Sequence, residues 1–162
     1  RALGVAVVPE GHRVLGELSV LDNLRAAATA LPAASVADAV ERMLGVFPEL
    51  RVKLALPARS LSGGQKQMVC IAQALIGQPR YLAIDELSLG LAPAVVKRLV
   101  EVVQQVAREG VGVLLIEQFT TVALAVSSRA YVLERGRMAF AGSSQALRER
   151  PEILHSSYLA AA

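Results

Sequence analysis

The sequence predicts an α/β fold with a mainly parallel sheet. Three short apolar runs have strand length, at residues 3–8, 81–84 and 113–116, and stretches with helical periodicity separate them. Buried strands that alternate with amphipathic helices are typical of a parallel sheet covered by helices. Residues 11–78 contain no strand pattern, so we expect a helical subdomain between the first two strands.

Composition narrows the possible functions. The chain has 162 residues, of which 54% are hydrophobic, and this is enough for one domain with a real core. Its net charge of +3 comes from scattered residues and not from a basic block, so we expect no nucleic-acid partner. Cys70 falls on the apolar side of a predicted helix and is expected in the core. His12 and His155 lie far from any cluster of metal ligands, which argues against zinc.

Serine, glycine and proline residues set the bounds of the first helices. Ser19, with an aspartate three residues later, predicts an N-cap for a helix that ends near residue 30. Ser35 repeats this pattern and predicts a second helix, which Gly45 and Pro48 end. Residues 49–60 are polar and predict a loop.

The second half continues the alternation. A turn at residues 88–93 precedes a long amphipathic helix at residues 94–108, and the third strand and a short helix at residues 120–126 follow. Residues 131–140 predict a hairpin with a Gly-containing turn. Two short helices, at residues 144–150 and 151–159, are expected to close the chain.

A serine and two glycines precede one of the predicted helices. The stretch Leu61-Ser62-Gly63-Gly64-Gln65 leads into a run with an apolar face at Met68, Ile71, Ala72 and Leu75. Glycines let a backbone approach a ligand closely, and the unpaired N–H groups of a helix N-terminus suit a phosphate. A lone S-G-G is more often a turn before a helix, so this interpretation depends on the other motifs.

Acidic and amide residues follow the predicted strands. Asp85 and Glu86 end the second strand, Glu10 follows the first, and Gln118 follows the third. In open parallel sheets, ligands bind outside the carboxyl ends of the strands. An aspartate there can hold Mg²⁺, and an adjacent glutamate can polarise a water. Without further motifs, two solvated acids at a strand end are an equal alternative.

Together these motifs resemble the ATP-binding subunit of an ABC transporter. L-S-G-G-Q, a helix, an apolar strand ending in D-E, and then S-L-G-L-A-P occur in the order of that family. V-P-E-G at residues 8–11 and I-E-Q at residues 116–118 are similar to the LivF-type ATPases of branched-chain amino acid importers. The resemblance covers essentially the whole chain. It implies a P-loop NTPase-like (RecA-like) sheet core at residues 1–10 and 79–162, with residues 11–78 as the inserted ABC helical subdomain.

The resemblance also implies roles for matching residues. Ser62, Gly63 and Gly64 would contact the γ-phosphate of an ATP bound to the opposite subunit, with Gln65 in support. Asp85 and Glu10 would hold Mg²⁺, and Glu10 takes the position of the Q-loop glutamine. Glu86 would be the catalytic base and Gln118 a γ-phosphate sensor, since an amide cannot take up a proton. The D-loop at the dimer interface would consist of Ser88, Leu89, Gly90 and Leu91.

Two departures from the family pattern stand out. Leu87 replaces the usual proline after D-E, which would loosen a rigid turn. The 162 residues also contain no G-x-x-x-x-G-K-[ST], because none of Lys53, Lys66 and Lys97 follows a glycine or precedes Ser or Thr. The sequence therefore resembles the C-terminal part of the domain, with an incomplete sheet core. We expect such a core to expose an unpaired sheet edge and an apolar face.

The implied function is ATP hydrolysis that powers an importer of branched-chain amino acids. The implied partners are a second ATPase subunit, identical or different, the transmembrane permease subunits and, indirectly, a periplasmic binding protein. The implied location is the cytoplasmic face of the bacterial inner membrane, where the protein is peripheral. Alternatives are a urea or short-amide importer, a degenerate ABC module without activity, and a soluble ABC protein of translation or DNA repair.

The missing phosphate-gripping loop gives a first prediction. The purified 162-residue chain should not hydrolyse ATP, because no lysine is placed to hold the phosphates. The measurement is phosphate release with and without Mg²⁺. Magnesium-dependent turnover that disappears in Glu86→Gln would contradict it.

Overall fold

The computed structural model describes residues 3–150 and 152–153. These residues form two compact units, the first ending at Glu117 and the second beginning at Gln118. The predicted division into a helical subdomain and a catalytic core follows other bounds and stays a prediction.

The first unit contains a three-stranded parallel sheet. Its strands are β1 (Val5–Val8), β2 (Tyr81–Asp85) and β3 (Gly112–Ile116), in the order β1-β2-β3. Val8 pairs with Ile84, and Asp85 pairs with Ile116, so the carboxyl ends of the three strands lie at the same end of the sheet. The predicted parallel α/β sheet is therefore confirmed.

Four helices accompany the sheet: α1 (Val20–Ala27), α2 (Val36–Val46), α3 (Gly63–Leu75) and α4 (Pro93–Arg108). The Ser19 cap is confirmed, because its hydroxyl accepts a hydrogen bond from the Asp22 N–H at 3.0 Å. The Ser35 cap is wrong, since its side chain makes no capping bond. Ser35 ends a short 3₁₀ turn and has a helical ψ of −7°, whereas a capping serine needs an extended backbone.

The segment predicted as a polar loop is more ordered than expected. It contains two 3₁₀ turns, Pro48–Lys53 and Ala58–Ser60, and both bury an apolar residue, Leu50 and Ala58. Its backbone also pairs with the start of α1, where the Val20 N–H donates to the Leu56 carbonyl at 3.0 Å. Local polarity hid these contacts because they depend on a segment far away in sequence.

The second unit contains α5 (Thr120–Val126), a hairpin of β4 (Arg129–Glu134) and β5 (Arg137–Ser143), and α6 (Ser144–Arg148). Arg135 and Gly136 both have positive φ, 48° and 77°, as a two-residue type I′ turn requires. The hairpin and α5 are confirmed. The predicted last helix, at residues 151–159, lies outside the described residues except at 152–153. No described helix is long and apolar enough to cross a membrane.

The two faces of the parallel sheet differ in exposure. Val8, Leu82 and Ile84 are at most 1% exposed, while Val7 and Leu114, on the other face, are both 59% exposed. In the described part of the chain, no further strand pairs with β1 or β3. The exposed apolar face and unpaired edges that the sequence predicts are thus present.

Neighbouring valines on β1 test this asymmetry. Val7→Thr should change the free energy of unfolding by less than about 0.5 kcal/mol and reduce aggregation, because it makes an exposed apolar face more polar. Val8→Thr should cost about 1–3 kcal/mol, because it buries a hydroxyl. Urea unfolding and light scattering of the 162-residue chain measure both effects. A wild-type chain that shows no more light scattering than Val7→Thr would contradict the expected aggregation.

Candidate functional site

The N-terminus of α3 is held by a capping box. The Ser62 hydroxyl accepts from the Gln65 N–H at 3.3 Å, and the Gln65 side-chain oxygen accepts from the Ser62 N–H at 3.1 Å. These bonds fix the serine hydroxyl, which still has its own proton to donate. Ser62 and Gly63 are exposed, so the partial positive charge of the helix end faces solvent. The predicted start of this helix is confirmed.

The two glycines of this stretch have different surroundings. A Cβ built on Gly63 would have its nearest neighbour, a Leu91 methyl, at 3.5 Å, which is ordinary contact. A Cβ on Gly64 would lie 2.6 Å from a Val95 methyl of α4, closer than side chains approach. Gly64 therefore permits α3 and α4 to pack together, while Gly63 leaves an open surface beside the helix end.

The turn after β2 lies next to this helix end. Its backbone closes with a hydrogen bond from the Leu91 N–H to the Ser88 carbonyl at 3.2 Å, and Gly90 has a φ of 70°. The buried Ser88 also donates from its N–H and its hydroxyl to one Glu117 carboxylate oxygen, at 2.8 and 2.6 Å. The structure thus places the predicted D-loop beside the S-G-G stretch and ties it to the end of β3.

The acidic pair lies at the carboxyl end of β2. Glu86 has a φ of 56°, a left-handed conformation that is costly for a residue with a side chain. Its N–H donates to the Ile116 carbonyl at 3.0 Å, and the next residue, Leu87, is 0% exposed. The leucine in place of the usual proline is therefore a core residue that anchors the turn.

Glu10 follows β1 at the same carboxyl end of the sheet. It is exposed, and its backbone carbonyl accepts from the Arg13 side chain at 3.3 Å. Among the described residues, no group of three or more His, Cys, Asp or Glu is arranged to hold a metal. The carboxylates of Asp85 and Glu10 are the type of oxygen donor that suits Mg²⁺, which uses one or two carboxylates and keeps several waters.

Gln118 is the first residue of the second unit and is exposed. Its role as a sensor stays a prediction. Cys70 is confirmed as a core residue, because it is 5% exposed and burial raises the pKa of its thiol to about 11. The thiol is therefore protonated near neutral pH and is a poor nucleophile.

The sequence did not predict the roles of two buried amide side chains. Asn23 is fully buried and exchanges hydrogen bonds with the backbone of Leu15, at 2.8 and 2.9 Å, so it holds the loop before α1. Gln67 is 1% exposed and accepts from the His12 ring at 2.8 Å. Gln67 lies one helical turn before Ile71, on the apolar face of α3. This position could have predicted that the amide is buried, and a buried amide needs a hydrogen-bond partner.

The parallel sheet, the capped helix end and the acids beyond the strands define a P-loop NTPase-like fold. A solved structure described as the ATP binding subunit of an ABC transporter matches with a TM-score of 0.78 and 28% identity, covering 96% of this chain and 67% of that one. The family model described as ABC transporter matches residues 2–88. The chain belongs to the ABC transporter family of ATP-binding proteins.

Two of three named relatives agree with the LivF-type resemblance. The BraG branched-chain amino acid transport ATP-binding protein of Pseudomonas aeruginosa is 39% identical over 149 residues, which are 92% of this chain and 64% of that protein. A probable LivF protein of Archaeoglobus fulgidus is 34% identical over 93% of this chain and 64% of its own length. The lipopolysaccharide export protein LptB of Acidithiobacillus ferridurans is 30% identical. The chain thus spans less than two thirds of the length of these relatives.

The two glycines can be separated experimentally. Gly64→Ala should destabilise the 162-residue chain by about 1–3 kcal/mol, because the new methyl overlaps Val95. Gly63→Ala should change its stability by less than about 1 kcal/mol, because its neighbours leave room. Urea unfolding measures both.

Val95→Ala is the matched control for this pair. If the overlap is the cause, adding it to Gly64→Ala should recover stability relative to the sum of the single changes. Equal destabilisation by the two alanine substitutions would contradict the assignment.

Proposed function

We propose that these residues belong to the ATP-hydrolysing subunit of an ABC importer for branched-chain amino acids. The observation that carries the proposal is the capped, exposed helix end beside the D-loop, in a chain 39% identical to a branched-chain amino acid transport protein. A helix end of this kind suits the terminal phosphate of a nucleotide.

In this proposal the stretch from Leu61 to Gln65, the signature stretch, acts on a nucleotide held mainly by the opposite subunit. Ser62 donates a hydrogen bond from its hydroxyl to a γ-phosphate oxygen, and the N–H groups at Gly63 and Gly64 face the same charge. Gln65 holds the serine in place through the capping box. Any residue other than glycine at position 63 would place its side chain on the open surface beside the helix end.

The acids at the sheet edge supply the hydrolytic part. Asp85 and Glu10 would hold Mg²⁺, which when bound neutralises phosphate charge. Glu86 accepts a proton from the attacking water. Gln118 can donate to or accept from a phosphate oxygen without taking up a proton, which suits a sensor.

The partners follow from exposed surfaces. The D-loop residues Ser88, Leu89, Gly90 and Leu91 would meet a second ATPase subunit, and Leu89 is 40% exposed. The exposed leucines Leu15, Leu18 and Leu56 lie on two segments whose backbones are hydrogen-bonded to each other. They offer an apolar patch to a segment of the permease. The protein would then be peripheral on the cytoplasmic face of the membrane, and the periplasmic binding protein would act indirectly.

A urea or short-amide importer is the alternative within the same class, because residues that select the solute are not expected in an ATPase subunit. A degenerate ABC module and a soluble ABC protein of translation or DNA repair are alternatives of other classes. The absence of a basic patch in the sequence disfavours the soluble protein.

Reconstitution separates these functions. The gene product that contains these residues, assembled with its permease and binding protein in vesicles, should take up leucine with ATP and Mg²⁺. Glu86→Gln should lower ATP turnover by about 10²-fold or more, because the water loses its base. Glu109→Gln is the matched control, since Glu109 is an exposed carboxylate at the far end of α4.

Uptake of urea in place of leucine would favour the alternative importer. A wild-type assembly that hydrolyses no ATP, or a Glu86→Gln variant as active as Glu109→Gln, would contradict the proposal.

A further inference from the structure

One hydrogen bond joins the loop after β1 to α3, the signature helix. The His12 ring nitrogen Nδ1 lies 2.8 Å from the side-chain oxygen of Gln67. These residues are 55 positions apart in the sequence. His12 follows Glu10 by two residues, and Gln67 lies one turn inside the helix that Ser62 caps. The bond therefore connects two parts of the proposed nucleotide site.

The side-chain oxygen of Gln67 faces Nδ1 of His12, and this contact selects one tautomer of the ring. An amide oxygen only accepts hydrogen bonds, so Nδ1 must be the donor. Gln67 is 1% exposed, which leaves its oxygen little access to water. Loss of the histidine donor would leave a buried acceptor with a poorer partner, which is more costly than losing an exposed bond.

The backbone around His12 is set for this contact. Gly11 has a φ of 90° and His12 a φ of 49°, two consecutive left-handed residues. This conformation is unfavourable for histidine and persists where the surroundings fix it. It turns the ring toward α3, where a Cβ on Gly63 would lie 3.7 Å from His12 Nε2. The ring thus lies beside both the buried amide and the open helix end.

We propose that His12 is a positioning residue that fixes the Glu10 loop against the signature helix. This inference rests on the proposed function, because what is positioned is Glu10 relative to Ser62 and Gly63. His12 acts through Gln67 and through the loop backbone and needs no contact of its own with the nucleotide. This role does not require His12 to bind a metal.

Two substitutions at position 12 isolate the hydrogen bond. Glycine and asparagine both accept a left-handed backbone, and asparagine keeps an N–H donor attached to the same side-chain carbon as Nδ1. In the full gene product, His12→Gly should lower kcat for ATP about fivefold, as expected for one lost hydrogen bond. The KM for ATP should change less than twofold, because the signature helix contacts the nucleotide mainly in the closed dimer. His12→Asn should restore kcat to within about twofold of wild type.

Gln67→Met tests the other partner. It should reduce kcat as His12→Gly does, and the double variant should show no further loss, since both changes break one bond. Thermal unfolding of each variant separates this effect from general instability. Independent, multiplicative losses, or a His12→Asn variant as impaired as His12→Gly, would overturn the proposal.

A spectroscopic measurement does not depend on ATP turnover. Comparison of the wild type with His12→Asn assigns the His12 signals in ¹⁵N spectra of the imidazoles, recorded in mildly alkaline buffer. His12 should show the Nδ1–H tautomer in the wild type and lose that preference in Gln67→Met. An Nε2–H tautomer in the wild type would overturn the inference. A gene product without ATPase activity but with the Nδ1–H tautomer would contradict the proposed function and support the contact.

Discussion

The close approach of α3 and α4 at Gly64 is the constraint on which the candidate site depends. Because no side chain intervenes there, the N-terminus of α3 lies beside the turn that leads into α4, and Leu91 reaches Gly63. Both helices bury apolar residues beyond this point, including Ile71 and Leu99. The contact at the helix end thus belongs to the core packing, and any movement of one helix would displace the other's loop.

The turn after β2 shows how the core stabilises an unfavourable backbone. The left-handed Glu86 costs on the order of 1–3 kcal/mol. The buried Leu87 and the bonds from Ser88 to Glu117 lie directly after it and offset that cost. Glu86 is therefore held by the residues that follow it in the turn and by its backbone bond to Ile116 at the end of β3. This arrangement fixes the turn without the proline that is usual in the family.

Local patterns predicted the elements of this fold well because strand runs, caps and turns are written in neighbouring residues. Ser19 is a cap as expected, the helix after Ser62 begins where the sequence predicts, and the Arg135–Gly136 turn closes the predicted hairpin. The prediction of a cap at Ser35 was wrong because a serine followed three residues later by an aspartate also occurs inside a continuing turn. The packing role of Gly64 and the His12–Gln67 bond depend on residues distant in sequence, so no local pattern contained them.

The loop that carries Glu10 is fastened on its C-terminal side at two points. Gln67 holds His12, and Asn23 holds the backbone of Leu15. Both amides are buried on helices, so His12 and Leu15 are tied to α3 and α1. Glu10 lies between that tied segment and the end of β1. A shift of the helices relative to the sheet would therefore change the backbone near Gly11 and alter the distance from Glu10 to Ser62.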